Sequence, residues 1–205
     1  MYGDGQAFGS TCCICKSILM NLDQRQVIVK IAESLNPKGI IWGIGASMLL
    51  AQYGLVNNPA DIDIVVTMSD IDGVDQLLSP LGSRQEKEKS DIYLTDFFYE
   101  YVIDSVEIDV MAGFKIKLPS SVFEYKFDRE SVPRCFDIGG VNVPFMALEE
   151  WYVLYQLMPN REYKVNLLEE HFRKHGLEYP GLLECFIHDE SLPEKVKKRI
   201  NKLIK

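Results

Sequence analysis

Asp61 and Asp63 bracket Ile62 in the run Asp-Ile-Asp-Ile-Val-Val at 61–66. In an extended chain successive side chains point to opposite faces, so the two carboxylates share one face and Ile62 and Ile64 the other. Carboxylates about 7 Å apart on one strand face repel each other unless a cation lies between them. A hard divalent ion that takes oxygen ligands and keeps positions open for phosphate suits such a pair; magnesium is expected, with manganese as the alternative. A third carboxylate, Asp109, lies in Val-Glu-Ile-Asp-Val-Met at 106–111, which alternates in the same way. If the two segments pair, Asp61, Asp63 and Asp109 converge at one sheet edge. Upstream, Gly45, Ala46 and Ser47 separate the apolar runs 40–44 and 48–50. Small side chains there would let backbone N–H groups approach a phosphate, Ser47 could donate its hydroxyl, and the helix that follows would offer its positive end. Three carboxylates beside such a turn make a two-cation phosphoryl-transfer site. One ion would grip a triphosphate, and the other would acidify an attacking hydroxyl.

Each of these residues also has a plainer reading. Polar-out alternation is common on half-exposed strands. Against that, Asp is disfavoured in strands, and two at once call for a reason. Asp109 taken alone reads almost equally well as a solvated residue, because Glu107 shares its face. Ser47 could simply cap a helix. Arg161 and Lys164 would by default face solvent in the first turns of a helix, and Trp151, Tyr152 and Tyr155 read as core before they read as a stacking platform. His171 and His175 have a metal-capable spacing but no third ligand nearby. Lys195, Lys197, Lys198, Arg199, Lys202 and Lys205 read as the wet face of a last helix.

The elements that must position the carboxylates follow from hydrophobic period. Val27, Val29, Ile31 and Leu35 suggest a first helix, with Asp23 as a cap and Asn36-Pro37-Lys38-Gly39 as its end. The organising stretch then reads strand, small-residue turn, helix, loop, strand. A helix with Ile71, Val74, Leu77 and Leu78 follows Thr67-Met68-Ser69-Asp70. The charged run 84–90 reads as a solvated loop or strand edge. Strands are expected at 97–103 and 106–111, with a short one at 115–118, while 120–135 carries no clear period. Gly139-Gly140 between Phe136-Asp137-Ile138 and Val141-Asn142-Val143 signals a hairpin. After Pro144 the pattern turns helical. An amphipathic helix would carry Leu148, Trp151, Leu154, Tyr155 and Met158, a second would span 161–174, and two more 180–187 and 192–205. The fold class is therefore α/β in the α+β sense: a mixed sheet with flanking helices, followed by a helical bundle. The expected division is 1–19 as a loose leader, 20–145 as the α/β domain and 146–205 as the helical domain.

Composition narrows the field. The 205 residues are 47% hydrophobic and 25% charged, enough to bury a core. No apolar run approaches the roughly 18 residues that span a bilayer. A basic-then-apolar leader is also missing, so no membrane association and a cytoplasmic location are the default expectations. The net charge of −8 argues against broad nucleic-acid binding. Of five cysteines, Cys12, Cys13 and Cys15 crowd the start; with no second zinc-spaced pair they read as reduced thiols.

Gly-Ile-Gly-Ala-Ser, then Asp-Ile-Asp-Ile, then Glu-Ile-Asp-Val-Met-Ala-Gly-Phe resembles, in that order, the nucleotidyltransferase superfamily typified by DNA polymerase beta. The resemblance covers about 38–175 and is nearest to small bacterial and archaeal members, among them antibiotic nucleotidyltransferases and toxins of toxin–antitoxin pairs. It implies a metal-dependent enzyme that moves a nucleoside monophosphate from an NTP to an acceptor hydroxyl. Asp61, Asp63 and Asp109 would be the catalytic and metal-binding residues, and Gly45, Ala46, Ser47 and Lys164 the nucleotide-binding ones. A small hydroxylated acceptor is favoured over tRNA or protein, with a homodimer or an antitoxin as further partners. Ala46 departs from the family pattern, where a second glycine is usual. The alternatives are therefore a catalytically weak or inactive nucleotide-binding or regulatory module, or the toxin of a toxin–antitoxin pair acting on RNA or protein.

Overall fold

The computed structural model describes residues 20–85 and 90–205. The proposed leader at 1–19, with its three cysteines, and most of the charged run at 84–90 lie outside the described residues. A seven-stranded mixed sheet forms the centre, in the order β3 (Ser83–Gln85), β4 (Phe97–Ile103), β5 (Val106–Ala112), β2 (Ile62–Val66), β1 (Trp42–Ile44), β9 (Val141–Phe145) and β8 (Arg134–Ile138). A small hairpin of β6 (Lys115–Lys117) and β7 (Val122–Glu124) stands beside it and accounts for part of the aperiodic 120–135 stretch. The helices are α1 (Leu22–Leu35), α2 (Ala46–Gln52), α3 (Ile71–Leu78), α4 (Leu148–Leu157), α5 (Glu162–His175), α6 (Pro180–Ile187) and α7 (Glu194–Ile204).

Two features of this topology decide where the carboxylates go. β2 runs parallel to β5 with Asp63 opposite Asp109, and Ile62 and Ile64 opposite Ile108 and Val110. β2 also pairs antiparallel with β1, and β5 with β4, so both strands lie inside the sheet rather than at its edge. The expected convergence at a sheet edge is thus corrected. The alternation reflects one face packed into the core and one face opening on a cleft, a pattern that an edge strand and a cleft-lining interior strand share.

Helix α1 is capped by Asn21, whose side chain accepts from the Gln24 N–H while Gln24 reaches back to the Asn21 N–H. Asp23 instead sits in the first turn, where its charge complements the helix dipole. The buried face is Val27, Ile28, Ile31, Ala32 and Leu35; Val29 lies off it. Asp70 does not cap α3 with its side chain. It accepts from Thr67 Oγ1 at 2.8 Å and from the Ile41 N–H at 3.1 Å, which ties the entrance of α3 to the start of β1. In the β8–β9 hairpin Gly139 and Gly140 take φ of 65° and 86°, the two left-handed positions of a tight turn. β9 continues through Pro144 to Phe145, because Phe145 pairs with Ile44 and the Met146 N–H donates to the Ile44 carbonyl.

The largest departure is α4. A one-sided amphipathic helix was expected, yet every residue from Leu148 to Tyr155 is buried, including Glu149 and Glu150. Sheet strands, α5, α6 and α7 share one apolar cluster with it, so the helix has no wet face. Glu149 is accommodated because one carboxylate oxygen accepts from the Glu178 and Tyr179 N–H groups at 2.7 and 2.9 Å.

Candidate active site

Strand β1 ends in the turn that carries Gly45, Ala46 and Ser47. The Gly45 N–H donates to the Asp63 carbonyl at 3.0 Å, fastening the turn to the carboxylate strand. Gly45 is there for space: a Cβ at this position would lie 2.3 Å from the Trp151 indole. Ala46, the first residue of α2, has φ of 45°, in the left-handed region that glycine adopts without cost. Ser47 does not cap α2. Its hydroxyl is 3.4 Å from Asp61 Oδ1, so it leans on the first carboxylate.

Asp61 directly precedes β2, Asp63 is its second residue, and Asp109 is across from Asp63 on β5. All three are half-buried, and each offers an oxygen within 4.8 Å of the others, the only such group of potential metal ligands among the described residues. Oxygen donors at this separation can share a hard divalent cation, and the absence of nitrogen or sulfur from the set suits magnesium or manganese over zinc. The carboxylates open on a cleft of about 910 Å³. The turn contributes Ala46 and Ser47 to its lining, α4 and the start of α5 contribute Trp151, Tyr155, Arg161 and Lys164, and further lining comes from Tyr93, Thr95, Phe98 and Phe114. Tyr93 and Phe114 stack at 6.3 Å and 19°.

Lys164 is not the solvent-facing residue that its place near the start of α5 suggests. It is 8% exposed, and its ammonium donates to the Tyr155 hydroxyl at 3.3 Å and lies 4.8 Å from that ring's centroid. Burial pulls its pKa below the ordinary lysine value; Arg161 adds to this, and Asp63 and Asp61 oppose it. Burial also pushes the Tyr155 hydroxyl well above 10, with Asp63 the largest charge contributing. A readable signal existed for Lys164. It stands four residues before Leu168 and beside Val165, on the inward face of α5. Tyr93 and Thr95, by contrast, come from a segment without helical or strand period, so sequence spacing could not place them; Phe98 lies in the strand expected at 97–103, but only the pairing of β4 with β5 brings it to the cleft. His171 and His175 sit away from the carboxylates, with rings 4.7 Å apart and His171 edge-on to Tyr53.

No protein-family model matches the sequence, and no curated protein matches it significantly. Solved structures do match. One is TM1012 of Thermotoga maritima, assigned as a nucleotidyltransferase, with a TM-score of 0.60 at 20% identity over 76% of this chain and 96% of that one. The fold is that of the nucleotidyltransferases. A second match at this level is ANT(2'')-Ia in complex with adenylyl-2''-tobramycin, with a TM-score of 0.51 at 14% identity over 73% of this chain and 89% of that one. The mixed sheet of the nucleotidyltransferase fold is thus in place around Asp61, Asp63 and Asp109. Among the described residues no helix is long and apolar enough to cross a membrane.

Proposed function

We propose that the protein transfers a nucleoside monophosphate from a nucleoside triphosphate to an acceptor hydroxyl and releases pyrophosphate. The observation that carries this reading is the meeting of Asp61, Asp63 and Asp109 within 4.8 Å of one another, in a cleft that also receives a buried lysine. Asp61 and Asp63 would hold magnesium, with manganese as the alternative, and Asp109 would complete the ligand set. When bound, the metal supplies charge neutralisation at the triphosphate and a lowered pKa at the acceptor hydroxyl. Lys164, held by Tyr155, lines the cleft together with the turn and the carboxylates. An arriving triphosphate would favour its charged form and offset the cost of burying it. Ala46 and Ser47 of the turn line the same cleft, while Gly45 shapes the turn from behind without lining it. In this reading the 20–145 part supplies the carboxylates and the turn, and the 146–205 part supplies the cation.

A small hydroxylated acceptor is favoured over tRNA or protein. A chain with net charge −8 repels a polyanion, and the cleft has room for a nucleotide and one small molecule. The adenylylated tobramycin of ANT(2'')-Ia is a product of this kind on the same fold. One observation favours a second reading: the methyl of Ala46 at positive φ stands in the turn that would border the phosphates, which suits a module that binds nucleotide without turning it over. Calorimetric titration with each of the four NTPs, with and without magnesium, beside an Asp61→Ala, Asp63→Ala double variant tests both. Magnesium-dependent binding lost in the variant, together with pyrophosphate release in the presence of acceptor hydroxyls, supports transfer. Binding without pyrophosphate release from any acceptor selects the module, and no binding to any NTP sinks both.

A further inference from the structure

A second cavity, of about 650 Å³, lies between β7, the loop after it, and the α6–α7 connection. It shares no lining residue with the carboxylate cleft. Glu150 of α4 forms part of its wall, one residue and therefore about 100° around the helix from Trp151, which lines the cleft. Glu149 and Glu150 are buried neighbours with opposite circumstances. Glu149 accepts two backbone N–H bonds that account for its position. Glu150 is 4% exposed, and its Oε2 is sealed from solvent without a hydrogen-bond partner. The Tyr125 hydroxyl on the same cavity is likewise sealed and unpartnered. Burial pushes the Glu150 carboxyl up to about 8; nearby Tyr125 and Ser131 oppose the rise, and Asp128 and Glu149 add to it. A buried carboxylate left in this state is expensive unless something arrives to pair with it.

The rest of the cavity narrows what that can be. Phe186 stacks on Tyr125 at 6.4 Å and 13° and lies 6.3 Å from Phe123, which makes one wall aromatic. Asp128 and Asp189 add negative charge to the lining, and among the described residues Lys126 is its only lysine or arginine. An anion is therefore repelled, and a neutral apolar guest would leave Glu150 Oε2 unpartnered. A small divalent ion does not suit the geometry either. Among the described residues only the Asp61, Asp63 and Asp109 group brings three ligand atoms within 4.8 Å of one another. An ammonium group on an organic body meets each condition: its N–H groups donate to Glu150, and aromatic faces attract a cation.

We propose that this cavity binds an organic ammonium ion, a primary amine carried on an apolar or aromatic body, with Glu150 as its counter-ion and Tyr125 and Phe186 as its aromatic wall. The site is separate from the carboxylate cleft and does not depend on the nucleotidyl-transfer reading. The test uses the full chain titrated with 2-phenylethylammonium, followed by calorimetry and by backbone amide shifts, with neutral 2-phenylethanol as control. Saturable amine binding is expected, with shifts clustered at 123–131 and 182–191. Glu150→Gln should weaken it about tenfold or more, the worth of a hydrogen bond to a charged group. Cys185→Trp, an exposed lining residue changed to fill the cavity, should block it while leaving the buried core untouched. The Asp61→Ala, Asp63→Ala variant should bind the amine as wild type does. The proposal is overturned by equal affinity for 2-phenylethanol, by undiminished amine binding in Glu150→Gln or Cys185→Trp, by loss in the double aspartate variant, or by no saturable binding at millimolar amine.

Discussion

Replacing Glu150 by Gln should make the protein more stable, and by an amount that depends on pH. The carboxyl is raised from its ordinary 4.5 to about 8, chiefly by burial. Between these two values the folded chain holds a proton that the unfolded chain has released, so stability falls as pH rises from about 4.5 to about 8. Below 4.5 the group is neutral in both states and contributes nothing. Above 8 the folded state carries the full cost of a buried carboxylate, one of whose oxygens has no hydrogen-bond partner. At about 1.4 kcal/mol for each pH unit, a displacement of this size is worth on the order of 5 kcal/mol. Water entering the adjoining cavity and relaxation around the charge reduce it, so a gain of about 2–4 kcal/mol for the Gln variant at pH 8.5 is expected. Glutamine keeps the shape, removes the charge, and offers an amide N–H₂ to the Tyr125 hydroxyl. For a chain of this size the melting temperature should rise by about 5–15 °C at pH 8.5 and by little at pH 4.5. Thermal unfolding of both proteins followed by circular dichroism between pH 4.5 and 8.5 measures the difference, in which all other titrations cancel. A gap between the two melting curves that stays constant across this range would refute the assignment of a displaced proton to Glu150.

Gly45→Ala drives a methyl to 2.3 Å from the Trp151 indole and should destabilise the fold by about 3 kcal/mol, seen as a lower urea midpoint. Ala46→Gly removes a side chain held at φ 45° and should gain up to about 1 kcal/mol in the same urea titration, since the relief slightly exceeds the extra freedom that glycine gives the unfolded chain. Lys164→Met should weaken magnesium–NTP binding about tenfold or more in calorimetry while leaving the melting temperature unchanged or higher, because a buried cation is replaced by an apolar chain of similar length. Unaltered NTP affinity in that variant would remove Lys164 from the nucleotide site.

What the sequence determined by itself is local. Alternation put Asp61 with Asp63, and Ile108 with Val110, on single strand faces, because a strand's period of two is a property of the backbone alone. Gly139-Gly140 marked its hairpin because left-handed positions select for glycine. Val165, Leu168 and Phe172 marked the buried side of α5 in the same way. Convergence of Asp109 with the other two carboxylates was a conditional statement until the parallel β2–β5 register supplied it; residues about forty-six apart in the chain meet only through strand pairing that no local pattern encodes. The interior place of both strands, the burial of Glu149 and Glu150, and the unpartnered Oε2 of Glu150 belong to the tertiary structure as well. A charged residue on a helix reads as wet until neighbours cover every side of that helix, and the cover of α4 comes from the sheet, α5, α6 and α7 together. Hydrophobic period reports which side of an element avoids water; which other elements do the covering is decided by how the whole chain packs.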